Sequence, residues 1–338
     1  MARVDVQKPG SSPGGPSGAL AAEWPGQAGE HERTRARSST LMTRLRRDWV
    51  MILLVLPGLL YFTVFYYITA FGYIIAFQDY RPYLGYVDSP FVGLENFRKM
   101  LGDAAFWQAF RNTITISLMQ LVLYFPAPIA LALLLNSIVS TQVRRVIQNV
   151  VYLPHFLSWV IIVAIFQNTL GSSGMVAQLA LAAGFDPPRI MGNPDLFKWL
   201  VTAEIIWRET GWGTVIYLAA LASIDADLYE AAAVDGASRW RRLWHVTLPG
   251  IVAVTILLLI LRLGNILTVG FEQILLQRDA VGAAAGEVLD TYTYYNGIIG
   301  GQWGITAAAG LVKFVLGVSL VWGANRLAHR FGQPGVYE

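Results

Sequence analysis

The side chains best suited to bind a polar ligand are charged and aromatic residues set within apolar sequence. Glu204 and Arg208 are four residues apart, so on a helix they share one face and stand in the favourable order for a salt bridge. Beside them, three residues offer flat faces of the kind that stack on sugar rings: Trp207, Trp212 and Tyr217. The alternative is that Glu204 and Arg208 only satisfy each other, while the tryptophans pack against lipid or a second chain.

Two glycines flank Trp212 in this stretch. Gly211 and Gly213 predict a loosened helix with freed backbone groups, which a membrane tolerates only beside protein or a wet cavity.

More polar residues lie deep within two later apolar stretches. Arg262 and Asn265 are close to the midpoint of one stretch, and Lys313 is at a similar depth in the other. With Glu272 and Gln273 they predict a polar path, because charged groups within a membrane usually line a cavity or pair with each other. Two cations also suit an anionic uronate ligand, but a structural ion pair across an interface between two chains explains them equally well.

The chain lacks the residue patterns that enzymes and metal sites commonly use. It has no cysteine, and its four histidines show no metal-ligand spacing, so we interpret these as packing or surface residues: His31, His155, His245 and His329. No H-E-x-x-H, G-x-S-x-G or pair of intramembrane aspartates occurs, so an intramembrane enzyme is not expected. The sequence also contains no G-x-x-x-x-G-K-[ST] phosphate loop, so we expect ATP to bind elsewhere.

The composition places these polar residues in a membrane. Hydrophobic residues make up 55% of the 338 positions and charged residues 14%, whereas soluble domains average about 25% charged. A membrane helix needs about 20 mostly apolar residues. Six stretches reach that length: 50–78, 112–136, 147–168, 200–222, 250–272 and 304–326. We therefore expect an all-α membrane protein with six transmembrane helices.

The distribution of Lys and Arg predicts the orientation. Residues 1–48, rich in Gly, Pro, Ser and charge, predict a disordered tail. This tail and the connections on its side carry 15 of the 25 Lys and Arg residues, and the opposite connections carry 7. The positive-inside rule therefore places both termini in the cytoplasm. The predicted outside loops are 79–111, 169–199 and 273–303.

One charged stretch, EAAAVDGASRWRRLWHVTLPG at 230–250, interrupts the apolar sequence on the cytoplasmic side. Residues 226–235 contain good helix formers, Gly236 can end that helix at positive φ, and Ser238 can cap a second short helix. Pro249 then stops the second helix or starts the fifth span at its first turn. Such a unit is either a docking helix for a soluble partner or an interfacial linker, and the residues alone favour neither.

The same stretch resembles a known loop. Glu230-Ala231-Ala232, then Gly236, then Val246-x-Leu248-Pro249 is similar to the EAA…G…I-x-L-P loop in permease subunits of binding-protein-dependent ABC importers, with Val246 replacing the usual isoleucine. Other segments resemble the LplB-type permeases of carbohydrate importers, among them FVGLENFRKML, NVVYLPHFLSW and WRETGWGTVIYLAALASID. The resemblance covers roughly residues 50–338.

The resemblance implies a type I ABC importer permease fold for residues 49–338, with a coupling loop at about 223–249. It also implies a second, homologous permease subunit, a cytoplasmic dimer of ATP-binding subunits that holds ATP and Mg, and an extracellular or periplasmic solute-binding lipoprotein. The substrate implied is a sugar or oligosaccharide, including uronate-containing ones, and no cofactor is expected on this chain. The implied coupling positions are Glu230, Ala231, Ala232, Asp235, Gly236, Leu248 and Pro249.

Two other functional classes compete with the importer. An ion-gradient-driven secondary transporter would suit the span count and discontinuous helices, but it has no need of a cytoplasmic docking helix. Nucleic-acid binding has only the Arg-rich tail in its favour, and juxtamembrane arginines are better explained by anionic membrane lipid and topology. We therefore expect no nucleic-acid partner and a location in the bacterial cell membrane.

Overall fold

The computed structural model of the protein describes residues 49–330, 332 and 335–337, so the predicted tail 1–48 lies outside the described residues. The described residues are helical apart from connections, the longest of which is 183–196, and an isolated antiparallel bridge between Gln78 and Phe91. This confirms the all-α prediction. The chain divides into two units, Met1–Tyr61 and Phe62–Glu338. The described part of the first unit is the beginning of the first helix, and the second unit contains every later element.

The α-helices are numbered here in chain order, with shorter turns of 3-10 or π type between some of them. They are α1 Trp49–Phe62, α2 Gly85–Asp88, α3 Glu95–Gly102, α4 Ala104–Met119, α5 Pro126–Ser137, α6 Thr141–Tyr152, α7 Trp159–Leu170, α8 Met175–Ala182, α9 Phe197–Ala222, α10 Ala226–Val234, α11 Arg239–Arg242, α12 Leu248–Gly264, α13 Phe271–Val281, α14 Ala283–Gly286, α15 Leu289–Thr293 and α16 Trp303–Arg330.

Within the described residues, five helical stretches are long and apolar enough to cross a membrane: Trp49–Phe77, Ala104–Ser137, Trp159–Ala182, Arg239–Gly264 and Trp303–Arg330. The remaining predicted span is α9, whose 26 residues extend about 39 Å at 1.5 Å per residue. That length exceeds a hydrocarbon core of about 30 Å. Its charged residues Glu204, Arg208 and Glu209 keep this helix out of the group of five.

The third predicted span, 147–168, is wrong in its boundaries because the helix is broken. α6 ends at Tyr152, a 3-10 turn covers Leu153–Phe156, and α7 begins only at Trp159. Pro154 lies in the 3-10 turn, where its missing N–H cannot support an α-helical bond. Ser158 then caps the new helix by accepting a hydrogen bond from the Ile161 amide at 3.4 Å.

The fifth predicted span, 250–272, is too long. α12 ends at Gly264, and after a turn the chain passes through Gly270 at φ +105° before α13 begins. Only glycine adopts such a backbone conformation readily, so this position sets the change of direction. Glu272 and Gln273 consequently lie on a separate helix. The predicted outside loop 273–303 is largely helical, and its Leu289 and Tyr292 pack in a buried cluster with Phe106 of α4.

Glycines set how closely α9 approaches its neighbours. A Cβ on Gly211 would lie 1.9 Å from the Val151 carbonyl oxygen of α6, and one on Gly213 would lie 2.9 Å from Pro128 Cγ of α5. The helix continues unbroken through both positions. The prediction that these glycines loosen the helix is therefore wrong, because they serve close packing.

Candidate functional site

The ion pair expected between Glu204 and Arg208 does not form, because Arg208 pairs with the adjacent Glu209. Arg208 Nη1 lies 2.5 Å from Glu209 Oε1. Its Nη2 also donates to the carbonyl oxygens of His155 and Leu157, each at 3.3 Å. These carbonyls belong to the break between α6 and α7, where the helical hydrogen-bond ladder is interrupted. Arg208 thus satisfies backbone acceptors that the broken helix leaves free, as an apolar environment demands.

His155 and Glu209 complete this cluster, and the sequence did not single out either as a site residue. His155 Nδ1 lies 2.9 Å from Glu209 Oε2. Its ring is parallel to the Trp212 indole within 1°, with ring centroids 4.6 Å apart. The Arg208 guanidinium lies 4.7 Å from the centroid of the Trp159 ring. The proline beside the histidine in LPHFLSW was the available sequence signal for an unusual position, but the contact of His155 with α9 is a tertiary feature that the sequence does not show.

Glu204 forms its hydrogen bonds with residues other than Arg208 and does not face a cavity or solvent. It is fully buried. Its Oε2 accepts hydrogen bonds from Gln273 Nε2 at 2.6 Å and from Gln277 Nε2 at 2.8 Å. A buried carboxylate requires such donors, and these two come from α13. Glu204 therefore joins α9 to α13. Trp207, on the neighbouring face, is partly exposed and makes an edge contact with Phe166 of α7.

Four of the predicted polar-path residues line one cavity of about 310 Å³: Trp212, Tyr217, Arg262 and Asn265. Arg262 is the cation of this cavity. Its Nη2 donates to the neutral Gln120 side chain at 2.5 Å, and its guanidinium lies 5.6 Å from the centroid of the Tyr124 ring. The cavity therefore combines aromatic faces with a guanidinium whose hydrogen bond goes to an uncharged group.

Lys313 lines a different, larger cavity of about 860 Å³, which Asn265 also borders. Lys313 Nζ lies 2.5 Å from Asp290 Oδ1 of α15. Its charge is thus neutralised within the chain. Of the two cations expected on one path, Arg262 alone forms no ion pair among the described residues. Lys313 does form the ion pair that was the alternative explanation, but within one chain and not across an interface.

The charged stretch forms the predicted helix, glycine turn and second helix. α10 is capped by Asp225, whose Oδ1 accepts from the Asp227 amide at 3.0 Å. At its other end Gly236 has φ +72°, with hydrogen bonds from the Gly236 amide to the Ala233 carbonyl and from the Ala237 amide to the Ala232 carbonyl. This is the Schellman arrangement. Both it and the Ser238 cap, which accepts from the Arg241 amide at 3.3 Å, confirm the prediction.

One side of α10 is uncovered. Leu228 is 54% exposed and Val234 is 88% exposed, with the exposed Ala231 between them on the same side of the helix. Among the positions implied by the resemblance, Glu230, Ala231, Asp235, Gly236 and Pro249 are exposed, and Ala232 and Leu248 are half-buried. The helix thus presents a small apolar surface bordered by acidic side chains.

The second helix runs directly into the span that follows it. α11 continues through a π turn, Leu243–Thr247, into α12 without a break. Pro249 lies in the first turn of α12, directly after the π turn, so the proline does not stop the second helix; the helical stretch that contains it already begins at Arg239. The Tyr229 hydroxyl lies 3.1 Å from Thr247 Oγ1, which ties α10 to the base of this helix.

The chain resembles known proteins over most of its length. Residues 125–333 match the family described as binding-protein-dependent transport system inner membrane component. Protein LplB of Bacillus subtilis (strain 168) is 41% identical over 305 residues, which cover 90% of this chain and 96% of LplB. The polygalacturonan/rhamnogalacturonan transport system permease protein YteP of the same organism is 40% identical over 304 residues, covering 90% and 95%.

Solved structures give the same result for the fold. A chain in the crystal structure of a bacterial ABC transporter involved in the import of the acidic polysaccharide alginate has a TM-score of 0.79 at 35% identity, covering 86% of this chain and 98% of that chain. A chain in the crystal structure of a bacterial alginate ABC transporter, in complex with an alginate pentasaccharide-bound periplasmic protein, has a TM-score of 0.80 at 35% identity, covering 88% and 99%.

Proposed function

The chain belongs to the family of binding-protein-dependent transport system inner membrane components, and from this we propose that it forms half of the membrane path for an anionic oligosaccharide. It is a permease subunit of an ABC importer that works with a binding protein, located in the bacterial cell membrane as a multi-pass protein. The importer, and not the ion-gradient-driven carrier, is the function that the comparisons support.

We propose that the substrate is a uronate-containing oligosaccharide held at the cavity of Trp212, Tyr217, Arg262 and Asn265. The observation that carries this proposal is Arg262, because its hydrogen bond goes to the neutral Gln120 and it forms no ion pair with any described residue. Aromatic faces beside a guanidinium suit a sugar ring with an acidic group. The names of YteP and of the alginate transporter, which refer to polygalacturonan and to an acidic polysaccharide, support the same substrate class.

We propose that the predicted path residues act in three ways. Arg262, Asn265, Trp212 and Tyr217 line the substrate cavity, and Asn265 connects it to the larger cavity that Lys313 borders. Arg208 and Glu204 hold the helices in place through the carbonyls of the α6–α7 break and through α13. Trp207 lies on the exposed side of α9, where a second permease subunit would pack.

We propose that α10 is the contact with a cytoplasmic ATPase, a dimer whose subunits bind ATP and Mg. The uncovered Leu228, Ala231 and Val234 would enter a cleft of that partner, with Glu230 and Asp235 making polar contacts at its edge. Leu248 and Pro249 would transmit the movement of α10 to the span that begins there. On this proposal the residues 223–249 form the coupling loop of a permease domain that covers 49–338.

We propose two more partners for the working importer. A second, homologous permease subunit would complete the path, and an extracellular or periplasmic solute-binding lipoprotein would deliver the oligosaccharide. The alginate transporter solved with a ligand-bound periplasmic protein supports this arrangement.

The experiment is uptake of a uronate oligosaccharide and of its carboxyl-reduced counterpart by reconstituted importer. A charge-assisted hydrogen bond contributes about 1.5–3 kcal/mol, so Arg262→Gln should reduce uptake of the uronate about 10-fold or more. Uptake of the neutral sugar should change far less. Arg262→Lys is the matched control, because it keeps the charge and should retain part of the preference. Equal losses for both sugars in Arg262→Gln would reject charge recognition at this position.

A further inference from the structure

A cavity of about 690 Å³ lies where the end of α5 meets the start of the helical span Arg239–Gly264. One wall is apolar and is formed by Leu133 and Leu134 of α5. The other wall is formed by Arg239, Trp240 and Arg242. The function proposed above assigns no role to this cavity.

The polar wall is positively charged without compensation. Arg239 and Arg242 are three residues apart on one helix, so their side chains lie on the same side. None of the described residues that line the cavity is an Asp or a Glu. The ion pairs found within residues 49–330 include neither guanidinium.

The position of the cavity matches the boundary between hydrocarbon and headgroups. Its apolar wall belongs to the end of the span Ala104–Ser137, and its basic wall to the beginning of the span Arg239–Gly264. Trp240 is 70% exposed there, and tryptophan is enriched at this depth in membrane proteins. A ligand that fills the cavity must therefore carry a negative group at one end and an apolar chain at the other.

We propose that this cavity binds one anionic phospholipid of the leaflet next to α10, with its phosphodiester at Arg239 and Arg242. Its acyl chain runs along Leu133 and Leu134. Basic pockets between membrane helices bind anionic headgroups in this way. Tyr229 borders the same cavity and also contacts Thr247 through its hydroxyl. The lipid therefore lies against the contact between α10 and the span Arg239–Gly264, and its presence should stabilise the position of α10.

The test uses the complete transporter purified into nanodiscs of phosphatidylcholine and phosphatidylglycerol with identical acyl chains. Native mass spectrometry then measures which lipid stays bound to the released complex. We expect the wild type to retain one phosphatidylglycerol in preference to phosphatidylcholine. Each arginine near a lipid headgroup is worth about 5-fold in this preference, so the double variant Arg239→Gln/Arg242→Gln should lose about 25-fold.

The matched control is Arg144→Gln/Arg145→Gln, which removes the same charge from α6 at residues that do not line the cavity. It should retain the preference of the wild type. Equal loss in both double variants would show a general charge effect and overturn the site, as would unchanged retention in Arg239→Gln/Arg242→Gln.

A second measurement distinguishes the lipid from a protein occupant. A photoreactive residue replacing Trp240 should crosslink to lipid in the assembled transporter, and crosslinking to the ATPase instead would overturn the proposal. Both readouts are independent of sugar uptake, so their failure leaves the proposed function untouched.

Discussion

The glycine that ends α10 allows the coupling proposal to be tested with a single methyl group. Gly236 has φ +72°, and a Cβ there would meet no atom within 4 Å. An alanine at this position therefore acts only through the backbone. An L-residue in the left-handed region costs about 1–2 kcal/mol, which is comparable to the net contribution of about 1–3 kcal/mol from the two Schellman hydrogen bonds. Gly236→Ala should thus let the end of α10 fray in a large fraction of molecules.

The assay is sugar uptake and substrate-stimulated ATP hydrolysis by the reconstituted importer, normalised to the amount of inserted protein. Since about 1.4 kcal/mol corresponds to a factor of ten in a population, we expect Gly236→Ala to lose about 5-fold to 30-fold of coupled activity. Gly236→Asn should lose less, because asparagine tolerates positive φ better than alanine does. Gly236→Asp, which adds a charge at the same place, should abolish transport while the protein still inserts.

The matched control is Gly323→Ala on α16, another position where a Cβ meets nothing within 4 Å but where φ is not positive. It should keep full activity. Wild-type activity in Gly236→Ala would refute the reasoning, because the helix end would then be unimportant for coupling. Lower activity in Gly236→Asn than in Gly236→Ala would also refute it, since backbone strain would not be the cause.

Two other substitutions test other parts of the structure. Glu230→Lys reverses a charge on the exposed rim of α10, so it should abolish uptake and stimulated ATP hydrolysis while insertion stays normal, as measured by quantitative immunoblotting of membranes; normal uptake would contradict the docking role. Gly211→Ala places a methyl group 1.9 Å from the Val151 carbonyl oxygen, so overpacking should cost about 3 kcal/mol or more and lower the thermal unfolding midpoint; an unchanged midpoint would contradict the packing role of this glycine.

The helix, glycine turn and second helix at 226–242 were predictable because their determinants are local. Gly236 and Ser238 act through hydrogen bonds to residues three to five positions away, so the sequence order contains the needed information. The open choice at Pro249 needed the structure, because a proline in the first turn and a proline that stops a helix look alike in sequence. The apolar spans were likewise visible, since their length and composition are sequence properties.

The partners of the buried charges could not be predicted in the same way. A spacing of four residues favours a Glu204–Arg208 pair on an isolated helix, but Gln273 and Gln277 come from α13 and offer Glu204 two donors. The break at 153–158 was missed although Pro154 is a local signal for it. Its residues are apolar enough to continue a span, and the carbonyls it frees are satisfied by Arg208 from another helix. Tertiary contacts of this kind leave no periodic signal in the sequence.

A tilt at the base of the continuous helix from Arg239 to Gly264 would be transmitted along the helix to its other end. Tyr229 contacts this helix at Thr247. Arg262 lies fifteen residues further along, about 22 Å away at 1.5 Å per residue. A tilt of about 10° at the base would therefore move the guanidinium by about 4 Å, enough to make or break a hydrogen bond. A ligand at Arg262 that favours one tilt would then change how strongly the cytoplasmic end of the helix binds its partner, and by the same free energy.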